Sequence, residues 1–296
     1  MRRLESAESL PNKVPVLMDR AGIKNIIKEG EMVAIKIHLG RIGGYRSIRP
    51  SFVRKVVDVV RSLGGRPFVT DTWGLVHLDD AVYNGYTYAT INAPVIPSNG
   101  IKENDFRTVK IDGLQLKEAE VAGNLYDADV LVNFAHAKGH GSSGFGGLIK
   151  NLALGGTVKE IRGKEHSLER EAEGIRKFQE AMADVVKAVL ENKRGKALHM
   201  SYIMDVTEHC DCPPWSTTPL VPDIGLAVSQ DIVALEKATL DLINEAPAIP
   251  YSIAEKYEFK PGENKFLKIH GRDPYIQVRA AEKLGLGSPD YRLIEV

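Results

Sequence analysis

A run of residues that is apolar but for one asparagine, VLVNF at positions 130–134, constrains the fold more than any other stretch. Strands with one solvated face alternate apolar and polar residues, so a continuous run predicts a strand buried on both faces, as in a parallel sheet covered by helices. In open α/β sheets, ligands bind beyond the carboxyl ends of the strands. The basic, glycine-rich segment that follows, AHAKGHGSSGFGG at positions 135–147, is therefore the first candidate for a site.

Strand and helix patterns alternate along the rest of the chain. Besides the central run, strands are predicted at 31–38, 66–72, 197–206 and 224–228. Helices are predicted at 13–19, 52–63, 78–84, 169–190, 231–243 and 276–284. A hairpin around Asp112 and Gly113 is predicted over residues 108–121, at an edge of the sheet. The alternation predicts an α/β fold with a mostly parallel sheet, helices on both faces and an edge hairpin.

Composition narrows the class of protein. The 296 residues are 43% hydrophobic and 26% charged, and one α/β unit over residues 1–296 is expected, with two lobes divided near residues 120–130 as the alternative. Since 39 basic residues balance 39 acidic ones, we expect no nucleic-acid partner, which requires a concentrated positive face. No apolar run approaches the ~20 residues of a membrane span, and the N-terminal MRRLESAESLPNK lacks the apolar core of a secretory signal. A cytoplasmic protein without a membrane partner is predicted.

The segment GHGSSG at positions 139–144 matches the pattern G-x-G-x-x-G of dinucleotide-binding turns. Such a site also needs an acidic residue at the end of the next strand, about 20 residues on. Glu160 has that spacing, but it lies in a polar segment, VKEIRGKE, without a strand pattern. Because no Gly-Lys-Ser/Thr occurs here, the P-loop pattern also fails. Nucleotide binding through either motif is therefore disfavoured.

A helix predicted to start near Gly146 supports a simpler hypothesis. Backbone N–H groups at a helix N-terminus attract anions, and a lysine on the first turn adds to the attraction. We therefore expect a small anionic molecule, a carboxylate or a phosphate, to be bound by Gly144, Gly146, Gly147, Lys150, Asn151 and, from the end of the first strand, Lys36. The alternative is that the glycines only allow close packing and that Lys150 is solvated.

Two histidines and a lysine follow the buried strand at alternating positions, His136, Lys138 and His140. Imidazole side chains are suited to acid–base catalysis and to metal binding, and a lysine between them can hold an anion. All three are candidate catalytic residues. A histidine with a purely structural role is the alternative for each.

The two cysteines of the chain, Cys210 and Cys212, follow His209 just beyond another predicted strand. Thiolate and imidazole are ligands of zinc and iron, so this cluster predicts a single metal ion, or redox chemistry. The cluster cannot complete a tetrahedral site alone, and the candidates for a further ligand are His38, at the end of the first strand, His136 and His140. Inert, partly buried cysteines are the alternative. Asp71 also ends a predicted strand, where a capping or turn role explains an aspartate equally well.

Several segments resemble one family, domain of unknown function 362: VAIKIH at 33–38, PFVTDT at 67–72, and residues 127–156 and 211–242. The resemblance implies the fold, but the family has no settled activity. Many members carry a ferredoxin-like insert with C-x-x-C-x-x-C-x-x-x-C-P runs that bind 4Fe–4S clusters. In this chain the insert would fall between His166 and Phe178, where SLEREAEGIRK has no cysteine. Because each cluster needs four ligands and the chain has two cysteines, a 4Fe–4S cluster is not expected.

Two functions follow from these observations. The first is an enzyme that binds a small anionic ligand or a metal at the carboxyl edge of the sheet, where the basic segment 136–151 faces Cys210 and Cys212. The second is a non-catalytic ligand-binding or redox-partner protein, derived from an iron–sulfur ancestor, that binds an iron–sulfur protein. An oligomer is compatible with both.

Overall fold

The structure is a computed structural model that describes residues 5–296, so the first four residues of the N-terminal segment considered above lie outside it. The strands are β1 (Met32–Lys36), β2 (Arg66–Asp71), β3 (Val95–Pro97), β4 (Phe106–Lys110), β5 (Glu118–Ala122), β6 (Val130–His136), β7 (Lys138–His140), β8 (Gly144–Gly146), β9 (Ala197–Ile203) and β10 (Gly225–Ser229). The α-helices are α1 (Leu10–Arg20), α2 (Ile23–Ile26), α3 (Pro50–Ser62), α4 (Gly74–Tyr83), α5 (Tyr88–Ile91), α6 (Gly123–Asp127), α7 (Leu148–Ala153), α8 (Lys159–Leu168), α9 (Gly174–Leu190), α10 (Ile232–Glu245), α11 (Lys265–His270) and α12 (Tyr275–Lys283). Short 3₁₀ helices lie at Ser6–Glu8 and Ile253–Tyr257.

Six strands form the central sheet in the order β10-β9-β6-β1-β2-β3. Neighbouring strands are parallel except at one edge, where β10 runs antiparallel to β9. The apolar run lies in β6, between β9 and β1, and all seven residues of that strand are buried. The predicted α/β fold with a mostly parallel sheet is confirmed.

Helices cover both faces of this sheet. Successive residues of a strand point to opposite faces, so β6 supplies Val130, Val132 and Phe134 to one core and Leu131 and Ala135 to the other. Helix α3 packs into the first core, and helices α7, α9 and α10 pack into the second. The predicted two-faced arrangement is therefore confirmed.

The predicted hairpin forms, but it does not extend the central sheet. Strands β4 and β5 make an antiparallel sheet of their own, and β5 packs its buried Ala119 and Val121 on the α9 side. The polar segment around Glu160 forms α8, which is buried through Ile161 and Glu165. A dinucleotide site would need this acid at a strand end, and it lies on a helix instead.

Strands β1, β2, β6 and β9 are parallel, so their carboxyl ends lie at one edge of the sheet. Asp71 and His136 are the last residues of β2 and β6, and the segments after β1 and β9 carry His38 and the cysteine pair. Parallel pairing therefore gathers side chains that are far apart in sequence. Of residues 5–296, none belongs to a helix that is long and apolar enough to cross a membrane.

Candidate metal and anion site

A cavity of about 270 Å³ opens at this edge of the sheet. Its wall is formed by the segments after β1, β2 and β6, by α7 and α8, and by the turn with the two cysteines. The lining includes five cationic side chains and four histidines: Lys36, Arg41, Lys138, Lys150 and Arg162, and His38, His77, His140 and His166. Many predicted site residues therefore meet in one place.

Three side chains gather their donor atoms on one side of the cavity. His38 Nε2 lies 3.3 Å from Cys212 Sγ, and the two sulfur atoms of Cys210 and Cys212 are 2.9 Å apart. All three donor atoms lie within 4.8 Å of one another, so a single metal ion can contact them together. Of the four predicted ligands, His209 lies outside this group. Its half-exposed ring contacts Trp215 and Glu208 instead.

Asp71 contacts Nδ1 of His38, the ring nitrogen that does not face Cys212. The carboxylate Oδ2 lies 3.3 Å from His38 Nδ1, and the Gly40 amide donates to the same nitrogen at 3.2 Å. A metal on Nε2 would require the ring proton to move to Nδ1, where Asp71 would accept it in place of the Gly40 contact, as in the carboxylate–histidine–metal arrangement. Burial lowers the pKa of His38, but Asp71 and Cys210 outweigh it and raise the pKa above its usual value.

Lys150 lies against the cysteine pair. Its Nζ is 3.0 Å from Cys210 Sγ and 3.8 Å from Cys212 Sγ. The hydrogen bond from the Cys212 thiol, together with Lys150 and His38, holds the pKa of Cys210 well below its usual value, although burial opposes this. The same hydrogen bond raises the pKa of Cys212. Cys210 is therefore the more acidic thiol of the pair.

Lys36 is buried on the sheet side of the cavity and has a complete set of oxygen partners. Its ammonium donates to Asp71 Oδ1 at 2.9 Å, to the Ile37 carbonyl at 2.8 Å and to Asn151 Oδ1 at 2.9 Å. The Asn151 amide in turn donates to the Lys36 carbonyl and to Asn133. This network fixes the carboxyl ends of β1, β2 and β6 relative to α7.

His136 and Lys138 both contact Asp211, which lies between the cysteines in sequence. His136 Nδ1 and Lys138 Nζ lie 2.9 Å and 3.1 Å from Asp211 Oδ2. His136 Nε2 lies 2.9 Å from the Met204 carbonyl, so both ring nitrogens are engaged within the protein. Lys138 lines the cavity and His136 does not. Of these two predicted catalytic residues, only Lys138 reaches the cavity, and His136 orients the cysteine turn through Asp211.

His140 lines the cavity at the β7–β8 hairpin. Its Nδ1 accepts a hydrogen bond from the Ser143 amide at 3.2 Å. Burial, with Lys150 nearby, holds the pKa of His140 well below its usual value, so the ring is neutral with its proton on Nε2. No described residue accepts a hydrogen bond from that Nε2. His140 thus offers a hydrogen-bond donor to a ligand.

The predicted anion site at a helix N-terminus has a different occupant. Helix α7 begins at Leu148, and the Leu148 amide donates to the buried carboxylate of Glu236 at 2.6 Å. Gly144 and Gly146 lie in β8, where they pair with His140 and Lys138. Glu236 comes from α10, about 90 residues further along the chain, so the local sequence contains no sign of this internal cap. The amide that begins α7 is therefore occupied by a protein carboxylate.

Sequence reasoning missed the residues that line the opposite wall. Trp73 stacks on His77 with ring centroids 5.1 Å apart, and the guanidinium groups of Arg41 and Arg162 each lie 5.7 Å from its ring. The backbone φ angle of Trp73 is 81°. A positive φ is uncommon for a bulky residue, and such strained residues cluster at functional sites. The sequence signal for this wall was the pair of aromatic rings two and six residues after Asp71, which ends a strand.

With this geometry in hand, comparison with known proteins settles the family. The family described as domain of unknown function (DUF362) matches residues 33–241. The chain belongs to the DUF362 family. A thylakoid-associated protein of Synechocystis sp. is 24% identical over 257 residues, which cover 85% of this chain and 75% of that protein. A cytoplasmic location for this DUF362 protein stays a prediction.

One solved structure shows a partial likeness. The lactate racemase apoprotein from Thermoanaerobacterium thermosaccharolyticum aligns with 65% of this chain and 49% of its own, at 16% identity and a TM-score of 0.41. This DUF362 chain thus spans about half the length of that protein.

Proposed function

We propose that the protein is a metal-dependent enzyme that acts on a small anionic substrate in the basic cavity. One observation carries the proposal: the donor atoms of His38, Cys210 and Cys212 lie within 4.8 Å of one another at the wall of a cavity lined by lysines. A fully enclosed structural metal site has four protein ligands, whereas three ligands leave a position for substrate or water.

The donor set favours zinc. Two thiolates and one imidazole form a ligand set that zinc takes in catalytic sites, and iron is the alternative with the same ligands. Asp71 also fits a metal site, because its carboxylate is placed to accept a proton from His38 Nδ1 when Nε2 binds the metal. Zinc bound here would supply a Lewis acid that polarises a substrate oxygen.

The chain itself supplies binding and orientation. Lys150 lines the cavity and attracts a negatively charged substrate, and His140 Nε2–H donates a hydrogen bond to it. The cavity volume of about 270 Å³ suits a molecule of a few carbon atoms better than a nucleotide. His136 acts indirectly. Its contact with Asp211 positions the turn that carries both thiols.

Metal stoichiometry tests the proposal. The full chain is dialysed against zinc and then against metal-free buffer, and zinc is measured by elemental analysis and native mass spectrometry. We expect one zinc ion per chain in the wild type, and at least tenfold weaker binding in Cys210→Ser, Cys212→Ser and His38→Ala, because three ligands cannot be reduced to two without losing affinity.

His209→Ala is the matched control. His209 adjoins the cysteines but lies outside the donor group, so this variant is expected to retain zinc. A wild-type chain that binds no zinc or iron, or cysteine variants that bind metal as well as the wild type does, would refute the proposal. Loss of metal in His209→Ala with retention in His38→Ala would move the site away from the group described here.

A further inference from the structure

We propose that metal binding creates the anion subsite, because it separates Lys150 from the cysteine thiolate and leaves Lys150 and His140 to bind an oxyanion. The ligand class is a tetrahedral or carboxylate oxyanion group. This inference rests on the proposed function and adds a coupling, in which bound metal tightens the binding of the anion.

Most cations around the cavity are already neutralised by carboxylates. Four of the five lining cations form such ion pairs: Lys36 with Asp71 at 2.9 Å, Arg41 with Asp80 at 3.0 Å, Lys138 with Asp211 at 3.1 Å, and Arg162 with Glu103 at 2.8 Å. An ion-paired cation gains little from a second anion, because its charge is already balanced. The metal-free cavity is therefore a poorer anion site than its count of cations suggests.

Lys150 is different because its counter-charge is sulfur. Its ammonium contacts Cys210 Sγ at 3.0 Å and Cys212 Sγ at 3.8 Å, and no carboxylate of residues 5–296 lies within ion-pair distance of it. An ammonium has three N–H donors, so two sulfur contacts leave at least one donor for the cavity. Lys150 is 7% exposed, which makes an unbalanced charge there costly.

A metal ion and Lys150 compete for the same sulfur atoms. A divalent ion held by both sulfurs would displace to solvent the proton that the two cysteines share, the charges of the two thiolates would be balanced by the ion, and Lys150 would then face a neutral metal–thiolate group. The buried ammonium requires a new counter-ion, and the cavity is where one can enter. Metal binding and anion binding are therefore coupled through Lys150.

His140 is the second donor of this subsite. Lys150 and His140 both line the cavity, and a methyl group built on Gly146 would lie 3.4 Å from Lys150 Cδ and 3.7 Å from His140 Cβ. The Ser143 amide donates to His140 Nδ1 at 3.2 Å, which directs the proton of the neutral ring to Nε2. An ammonium and an N–H donor in one cavity suit the oxygens of one oxyanion.

Titration of inorganic sulfate into the full-length protein tests the coupling. Sulfate is a soluble tetrahedral dianion that does not precipitate zinc, and isothermal titration calorimetry at constant ionic strength measures its affinity with and without bound zinc. We expect at least tenfold tighter sulfate binding to the zinc-loaded protein. By linkage, sulfate must tighten zinc binding by the same factor, and this second measurement needs no variant.

Lys150→Met and Lys150→Gln are expected to abolish the zinc-dependent gain while zinc still binds. Lys164→Met, which removes an exposed lysine of α8, is the control and is expected to keep the gain. Equal sulfate affinity with and without zinc would overturn the inference, and a full gain in both Lys150 variants would place the anion on the metal alone. Either result leaves the zinc stoichiometry intact, whereas a wild-type chain that binds no metal refutes the proposed function itself.

Discussion

Two lysines in the same cavity wall, Lys36 and Lys150, are almost equally buried and have opposite surroundings. Lys36 is 1% exposed and donates to three oxygens, and Lys150 is 7% exposed and contacts two sulfurs. The difference lies in the groups that balance the two ammonium charges, a carboxylate for Lys36 and cysteine sulfurs for Lys150. Carboxylates keep their charge throughout the physiological pH range, whereas a thiolate can take up a proton or bind a metal.

The pKa directions reflect this contrast. Burial raises the pKa of Asp71, but Lys36 and the nearby histidines outweigh it and hold that pKa well below its usual value. Burial likewise lowers the pKa of Lys36. For Lys150, burial acts in the same direction, but the cysteines outweigh it and raise the pKa. The carboxylate beside Lys36 therefore stays charged, whereas the sulfur partners of Lys150 can bind a metal ion instead.

The largest expected effect is a difference in unfolding free energy between variants of the two lysines. Lys36→Met leaves the Asp71 carboxylate buried without its cation, and we expect a loss of about 3–5 kcal/mol in unfolding free energy. Lys150→Met leaves a thiolate that can take up a proton and become neutral, so we expect a loss below about 1.5 kcal/mol. Urea denaturation of both metal-free variants at neutral pH measures the difference. Equal losses would break the comparison.

The next effect tests whether the Lys36 network supports the metal ligands. Asp71→Asn removes the acceptor behind His38, so we expect roughly 10–100-fold weaker zinc binding. Asp80→Asn is the matched control, since Asp80 pairs with Arg41 at the same cavity and does not contact His38. Competition with a zinc chelator measures both affinities. Unchanged zinc binding in Asp71→Asn would show that the network and the metal site are independent.

The last comparison concerns stability, and it substitutes one glycine beside each lysine. A methyl group on Gly155 would lie 2.3 Å from Lys36 Nζ and 2.6 Å from the Asn151 carbonyl, whereas one on Gly146 meets Lys150 Cδ at 3.4 Å. We expect Gly155→Ala to cost about 1–3 kcal/mol by overpacking a network that cannot move. Gly146→Ala is expected to cost less than about 1 kcal/mol, because a flexible side chain can shift. Thermal denaturation compares the two, and a more harmful Gly146→Ala would contradict the comparison.

Local patterns were sufficient for much of the fold. The helix predicted to open at Asp231 is α10, and the Asp231 side chain caps it by accepting from the Val233 and Ala234 amides. Helix α3 shows the predicted apolar face, with Phe52, Val56 and Val60 buried. Periodicity and capping depend on residues a few positions apart, and those are visible in a sequence.

The candidate site was only partly visible. Strand ends pointed to Lys36, His38 and Asp71 because parallel strands place their carboxyl ends at one edge. The choice of His38 over His209 as the third donor was not visible, since it depends on how a turn after β9 packs against the end of β1. Arg162 was not visible either. It reaches the cavity from α8, and the polar sequence of that segment did not lead us to predict a helix.

The sequence by itself determined a mostly parallel α/β sheet and a basic, thiol-containing edge, because buried strands and their flanking residues are encoded locally. Only the tertiary structure decided which charges are already balanced. Glu236 occupies the start of α7, Asp71 neutralises Lys36, and, among residues 5–296, the cysteines neutralise Lys150. Ion pairing is set by distances between side chains of different elements, and residues more than 30 positions apart in sequence acquire those distances only on folding.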